Sequence, residues 1–431
     1  MSTDTIDGGG AAAVRAEVRA WLGEAWDPDL TVREWWGRLG ESGWAFPTWP
    51  AAWYGKSLSP EMASVVRDEL RAAGALGPPA GLGQGLGAPT IIAHATEEQK
   101  RWWLPALATG AEGWCQLFSE PGAGSDLASL QTRAVRDGDE WVVNGQKVWT
   151  SGALQAVRGL LVARTNPDAP KHRGITYFII DIDQPGVEVR PLKQMNGAAT
   201  FNEVFFTDAR VPHANVVGEA NNGWAVAITT LAYERSGIGG SGMAGAGPPG
   251  EKAGFLDRRA GDVVAGRGAD AGMGSAMSFF GRGGDLVRAA AEAACATADP
   301  VVRQGIARIH AMNEVARLNA SRAQAAVRAG ARPGPEGSTG KLAAANNMHA
   351  ARDVAMGALG AHGMLAGDDA PLGASVQMLA LSAHAISIAG GTNEVQRNII
   401  GERVLGLPKE PQVDRDVPFK ELKVGTQRQD S

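Results

Sequence analysis

The chain has 431 residues, 44% of them hydrophobic, and a formal net charge of −5. That length exceeds one small domain and allows two or three, with a large buried core. Both signs of charge are spread along the chain, so there is no basic stripe for nucleic acid, and no apolar run approaches the ~20 residues of a membrane span.

The N-terminus, MSTDTIDGGG, lacks the basic and apolar regions of a secretory signal, and a cytoplasmic protein is expected. Residues 1–10 are expected to be disordered. From there to residue 113 the chain reads as helices with marked ends. Ser59 before Pro60 is an N-cap with proline in the first helical position, and Thr96 with Gln99 forms a capping box. Trp21, Trp26, Trp35, Trp36, Trp44, Trp49 and Trp53 crowd this region. Packing between helices explains them better than an aromatic ligand pocket does.

Residues 114–222 change to strand character. Leu160–Arg164, Ile175–Asp183 and Val204–Thr207 are rich in β-formers, with prolines between them, and a compact β barrel or sandwich is expected. Asp137-Gly138 and Asn144-Gly145 are dipeptides that supply positive φ to hairpin turns. Before them lies the loop Ser119–Asp126 (SEPGAGSD), whose glycines let its backbone N–H groups approach a ligand. The two cysteines, Cys115 and Cys295, form neither a disulfide framework nor a CxxC pair. They are expected as reduced, buried thiols.

Residues 223–408 are helical again. Val302, Ile306, Ile309, Met312 and Leu318 recur at helical spacing as one apolar stripe. Residues 237–299 are Gly-dense, which disfavours long helices at ~1 kcal/mol per Gly relative to Ala. They read as an irregular insertion with short helical pieces, either a lid over a site or a surface loop. Residues 409–431 read as a charged tail. His310, His349, His362 and His384 fit no metal-ligand spacing, so no metal is expected. The fold class is therefore α+β multidomain, with a helical domain, a β domain and a C-terminal helical bundle.

SEPGAGSD followed by NGQKVWTSGA (Asn144–Ala153) resembles the acyl-CoA dehydrogenase family of FAD flavoproteins. Asn202–Arg210 (NEVFFTDAR) and Ile388–Pro408 (IAGGTNEVQRNIIGERVLGLP) extend the resemblance. It implies the same order of domains, with FAD between the β domain and the bundle and a neighbouring subunit completing its site. The implied reaction is α,β-dehydrogenation of an acyl-CoA: a carboxylate takes the α proton and the β hydrogen leaves as hydride to flavin N5. An electron-transfer flavoprotein or similar acceptor is implied as partner, as is a homotetramer or an α2β2 heterotetramer.

Carried over residue by residue, Phe118 and Ser119 contact the flavin ring. Gly124 and Ser125 meet the flavin and the pantetheine arm of the substrate. Trp149 packs against the isoalloxazine, and Ser151 bonds its edge. Gly391-Thr392-Asn393-Glu394, with Thr392 and Glu394 as contacts, binds the diphosphate or adenosine side. Many members carry the catalytic glutamate just before this Gly-Thr, where this chain has Gly390. The isovaleryl-CoA dehydrogenase branch carries it in a Glu-Arg pair on an early helix of the last domain. Glu234-Arg235 matches that pair, making Glu234 the expected base and Arg235 a substrate contact; the alternative for Glu234 is a surface or interhelical carboxylate paired with a basic residue. Small residues at Gly237, Gly239 and Gly240 would leave room for a bulky acyl chain. Arg282 and Arg303 are candidates for the family's subunit-bridging arginine, and Gly357–Gly363 stands for its Gln-led glycine block. A non-catalytic partner subunit of a heteromeric dehydrogenase and a family-like flavoprotein oxidase remain as other readings.

Overall fold

The computed structural model describes residues 7–238, 248–266, 283–328, 334–411 and 414–422. The chain opens with helices α1 (Asp7–Ala25), α2 (Val32–Glu41), α3 (Pro60–Ala72), α4 (Ala88–His94) and α5 (Glu97–Ala108). Helix α1 begins inside the stretch expected to be disordered. The alanine run Ala11–Ala13 propagates the helix back over Gly8–Gly10, because each added residue gains one hydrogen bond. Ser59 caps α3 by accepting from the Met62 N–H. Both halves of the Thr96–Gln99 capping box are formed. Gln99 also donates to the carbonyls of Ala214 and Val216, both at 2.7 Å, tying α5 to the chain that leaves the β region.

The tryptophans pack between helices, as expected. Trp35 and Trp36 are fully buried, and their indole N–H groups donate to the Leu76 and Gly77 carbonyls at 2.7 and 2.9 Å. That gives each large apolar ring a satisfied polar handle.

The β region is a single seven-stranded sheet curled into a half-barrel, in line with the compact β domain expected. Its strands are β1 (Trp114–Leu117), β2 (Arg133–Asp137), β3 (Glu140–Ser151), β4 (Arg158–Arg164), β5 (Ile175–Asp181), β6 (Val187–Leu192) and β7 (Phe201–Pro212). The order runs β1-β4-β2-β3-β7-β6, with β5 also on β4. Asp137-Gly138 makes the expected hairpin between β2 and β3, with Gly138 at φ +59°.

Asn144-Gly145 does not turn the chain. It sits inside β3, where the register with β7 shifts between Val143 and Gly145. The dipeptide makes a bulge in a strand that continues to Ser151, and Asn144 exchanges hydrogen bonds with the side chain and backbone of Asp208. Gly145 has φ +151°, and a Cβ there would lie 2.5 Å from Thr132 Oγ1. Gly145→Ala is therefore expected to cost about 1–3 kcal/mol, read as a lowered midpoint of thermal unfolding.

Side-chain alternation along the sheet builds two cores. Cys115, Leu117, Val143, Phe178 and Val204 belong to the one enclosed by the curl. Trp114, Phe118, Leu160 and Tyr177 belong to the other, shared with α4, α5 and helix α6 (Gly223–Ile238). Burial pushes the Cys115 thiol up to about 12. Cys295, expected to be buried, is exposed, because it follows helix α8 (Gly283–Ala293) at the surface. Alkylation of the native protein should thus label Cys295 and spare Cys115, as read by peptide mass spectrometry.

Among the described residues of the Gly-dense segment, those from Phe255 onward pack against the N-terminal helices. Phe255, Leu256 and helix α7 (Ala260–Gly266) pack with Trp35, Trp36 and Leu39, and the Val32 and Arg33 N–H groups donate to the Arg258 and Leu256 carbonyls at 2.8 Å. The apolar anchors Phe255 and Leu256 override the local glycine content. Helices α9 (Pro300–Arg328), α10 (Gly337–Leu359), α11 (Ser375–Ile386) and α12 (Asn393–Ile399) complete the described chain. The α9 stripe is only partly covered: Ile309 is buried, Val302, Ile306 and Met312 are half-buried, and Leu318 is exposed. No described helix is long and apolar enough to cross a membrane.

Candidate active site

Strand β1 and helix α6 meet across the second core. Thr230 on α6 is buried, with its hydroxyl 2.9 Å from that of Thr90 and 3.2 Å from that of Tyr177. Nearby, His94 Nε2 lies 2.8 Å from the Thr229 hydroxyl. These bonds fix the rotation of α6. One turn further on, Glu234 shares the Thr230 face and is half-buried, and its Oε2 accepts from Gln116 Nε2 at 3.1 Å. Glu234 thus points at the sheet. Gln116 escaped the sequence reading; its only signal was a polar residue between Trp114 and Phe118 at strand spacing. The side chain of Arg235 lies outside the described residues, as do Gly239 and Gly240, while Gly237 falls in the last turn of α6.

A second cluster stands at the β1 C-terminus. Phe118 is buried edge-on against Tyr177, with ring centroids 5.9 Å apart. The Ser119 carbonyl accepts from Val148 N–H at 2.9 Å, which brings the loop against β3. Next along β3, Trp149 has φ +61° and is 58% exposed, unusual for a strand tryptophan, with Phe201 edge-on at 5.8 Å. Beside it, Thr150 Oγ1 and Asn202 Nδ2 are buried without a hydrogen-bond partner. Ser151 lines a cleft of about 430 Å³ together with Trp114, Gly81, Gln155, Pro249 and Lys252. Gly124 and Ser125 are exposed on the loop that follows Ser119.

The loop stands on a buried ion pair that the sequence reading also missed. Lys147 Nζ, with its side chain fully buried, donates to Glu120 Oε1 at 2.8 Å and to the Phe118 carbonyl at 2.9 Å. The Glu120 carboxylate also accepts from the N–H groups of Gln131 (2.7 Å) and Thr132 (2.9 Å). Burial pushes the Glu120 carboxyl up, but the Lys147 charge and these hydrogen bonds outweigh it and hold it below the ordinary carboxylate value. Burial pushes the Lys147 ammonium down, against the pull of Glu120.

The Gly390–Glu394 segment belongs to the bundle. Gly390 and Gly391 have φ +67° and +92°. Gln396 Nε2 donates to their carbonyls at 2.9 and 3.3 Å. Thr392 caps α12 by accepting from Val395 N–H at 3.2 Å, and Asn393 is held by Lys341 and Ser387. Glu394 is exposed and paired with Arg397 at 3.0 Å. Arg303 is exposed on the first turn of α9, Arg282 lies outside the described residues, and Gly357–Gly363 ends α10 and enters a short 3-10 turn. His349 bonds the Ser387 hydroxyl at 2.7 Å, and among the described residues no group of three or more His, Cys, Asp or Glu could hold a metal ion.

The site thus combines an inward carboxylate with an exposed indole and unpartnered polar atoms beside it. Family profiles for acyl-CoA dehydrogenases match in three parts: the N-terminal domain over residues 11–111, the middle domain over 115–209 and the C-terminal domain over 270–405. The chain belongs to the acyl-CoA dehydrogenase family. It is an FAD-dependent oxidoreductase, and the exposed face of Trp149 beside the orphaned Thr150 and Asn202 atoms fits a flat, polar-edged cofactor.

Among its relatives, acyl-CoA dehydrogenase IpdE1 of Mycobacterium tuberculosis is 36% identical over 417 residues, 92% of this chain and 97% of the relative. Acyl-CoA dehydrogenase FadE34 of the same organism is 51% identical over 197 residues, but those residues are 46% of this chain and only 27% of that protein. The solved Tcur3481-Tcur3483 steroid ACAD superposes with a TM-score of 0.69 at 30% identity, covering 93% of this dehydrogenase and 98% of that chain. The ChsE4-ChsE5 complex from Mycobacterium tuberculosis gives 0.65 at 31% identity, covering 95% and 100%.

Proposed function

We propose that the protein removes the α proton of an acyl-CoA thioester with the Glu234 carboxylate, as the first half of an α,β-dehydrogenation. One observation carries this reading: Glu234 is half-buried, faces the sheet from α6 and accepts a hydrogen bond from Gln116. The other family position for the base is Gly390, whose φ of +67° disfavours any side chain. FAD, when bound, supplies the hydride acceptor at the β carbon. Phe118, Ser119, Trp149 and Ser151 would hold its ring side, Gly124 and Ser125 the loop side with the CoA arm, and Thr392 with Glu394 the diphosphate or adenosine side. Arg235 would contact the substrate.

The substrate reading is a bulky, ring-bearing acyl group. The cleft beside Ser151 has small walls at Gly81, Gly113 and Gly152, and the Tcur3481-Tcur3483 neighbour is titled a steroid ACAD. The assembly reading is a heterotetramer with a second dehydrogenase-like chain. Exposed Val301, Val315 and Leu318 on α9, with Met364, Leu405 and Leu407, give the bundle an apolar surface. Two solved neighbours carry paired names. In that setting Gly390 also suits the non-catalytic partner role.

Purified protein should be mixed anaerobically with straight, branched and steroid-derived acyl-CoAs, alone and with a second dehydrogenase-like chain. Reduction by the ring-bearing thioester supports the reading. Reduction confined to short straight chains overturns the substrate assignment. Reduction that needs the second chain and survives loss of Glu234 assigns this chain the partner role.

A further inference from the structure

We propose that Gln116 is the positioning residue of the base: its amide aims the Glu234 carboxylate and holds it ionised at the edge of an apolar core. This rests on Glu234 being the base. Strand alternation sets up the arrangement. Cys115 and Leu117 point into the core enclosed by the curled sheet. Trp114 and Phe118 point to the other side, toward α6. Gln116 therefore stands between two buried aromatic side chains, where a polar group needs a partner. That partner is Glu234, 118 residues away in the chain.

Two contacts divide the work. Thr230, locked to Thr90 and Tyr177, sets the rotation of the helix. Gln116 sets the direction of the carboxylate one turn later. A neutral amide suits a base that changes charge. Its N–H donates to the carboxylate, which favours the ionised form. After the substrate C–H bond breaks and the O–H bond forms on Glu234, rotation of the same amide offers Oε1 as an acceptor for that hydrogen. An arginine or lysine would serve only the ionised form, and a leucine would serve neither.

Among the described residues, the elements packed against α6 carry the titratable groups Tyr177 and Asp181 on β5, His94 on α4 and Lys341, His349, Arg352 and Asp353 on α10, while His172 lies edge-on to Trp224 and Tyr233 and Arg235 belong to α6 itself. Burial pushes Tyr177 up and His94 down. All of these remain in a Gln116 variant, so a change in the acid limb of its pH profile reports the lost amide.

The test compares wild type, Gln116→Leu, Gln116→Glu and Glu234→Gln, each as flavin-loaded enzyme. In Gln116→Leu the acid limb of kcat/KM is expected to move up by about one pH unit or more, so that activity below the limb falls roughly tenfold and recovers above it, with KM little changed. Gln116→Glu sets a second carboxylate beside the first and should move it further. Infrared titration of the protonated-carboxyl band, with Glu234→Gln as the blank, should show the same displacement. Should Gln116→Leu fail to load flavin, Gln116→Met takes its place. An unchanged limb and infrared midpoint in the Gln116 variants, with Glu234→Gln inactive, overturns the proposal and leaves the base assignment standing. Full activity of Glu234→Gln overturns the base assignment instead.

Discussion

Lys147→Met should destabilise the protein by about 3–5 kcal/mol, because it strands the buried Glu120 carboxylate without its counter-ion. The pair braces the Ser119–Asp126 loop: Lys147 donates to the Phe118 carbonyl, and Glu120 accepts from the N–H groups where the chain rejoins the sheet at Gln131 and Thr132. A lower thermal midpoint and loss of bound flavin are expected together. The double variant Glu120→Gln with Lys147→Met removes both charges and should regain much of the loss, a coupling that a double-mutant cycle measures. Additive effects of the two substitutions would mean that the pair is not coupled. The pH dependence follows from the lowered folded pKa of Glu120. Its contribution is fully present above the unfolded carboxylate value of about 4.3 and is lost as pH falls through the still lower folded value. The variant should therefore narrow its stability deficit only in acid.

Glu234→Gln is expected to lower kcat by roughly 10²–10⁴-fold, the usual contribution of a positioned general base. The change keeps the length and shape of the side chain while removing its ability to take a proton. Flavin content and thermal midpoint should stay near those of the wild type, since Glu234 lies at the end of α6 and the core contacts of that helix are made by Val226, Ala227 and Thr230. Unlike the Gln116 variants, this one should show no recovery at high pH.

The helical ends were legible because capping is local: Ser59 and the Thr96–Gln99 box signal their helices within four residues. The Asp137-Gly138 hairpin was legible for the same reason. Asn144-Gly145 carries the same dipeptide signal, yet positive φ serves a bulge as well as a turn. The difference is set by β7, which pairs along β3 on both sides of the bulge from sixty residues away in sequence. Cys295 was misplaced because its burial depends on how α8 packs, not on its neighbours in the chain. The α9 stripe has the right period, but periodicity cannot say whether the same chain covers it, and Val315 and Leu318 remain exposed. At the candidate site, Glu234 is picked out in the sequence only by its Glu-Arg context. Gln116, Lys147 and Glu120 were not, since each gains its role from a partner far away in sequence or on another element.

The most direct test of Glu234 as the base is anaerobic single turnover with an accepted acyl-CoA, comparing wild type with Glu234→Gln at matched flavin content. The account predicts loss of the flavin absorbance near ~450 nm in the wild type, slowed in the variant by roughly 10²–10⁴-fold. Equal rates in the two proteins would contradict it and move the search for the base to another residue or to a second chain.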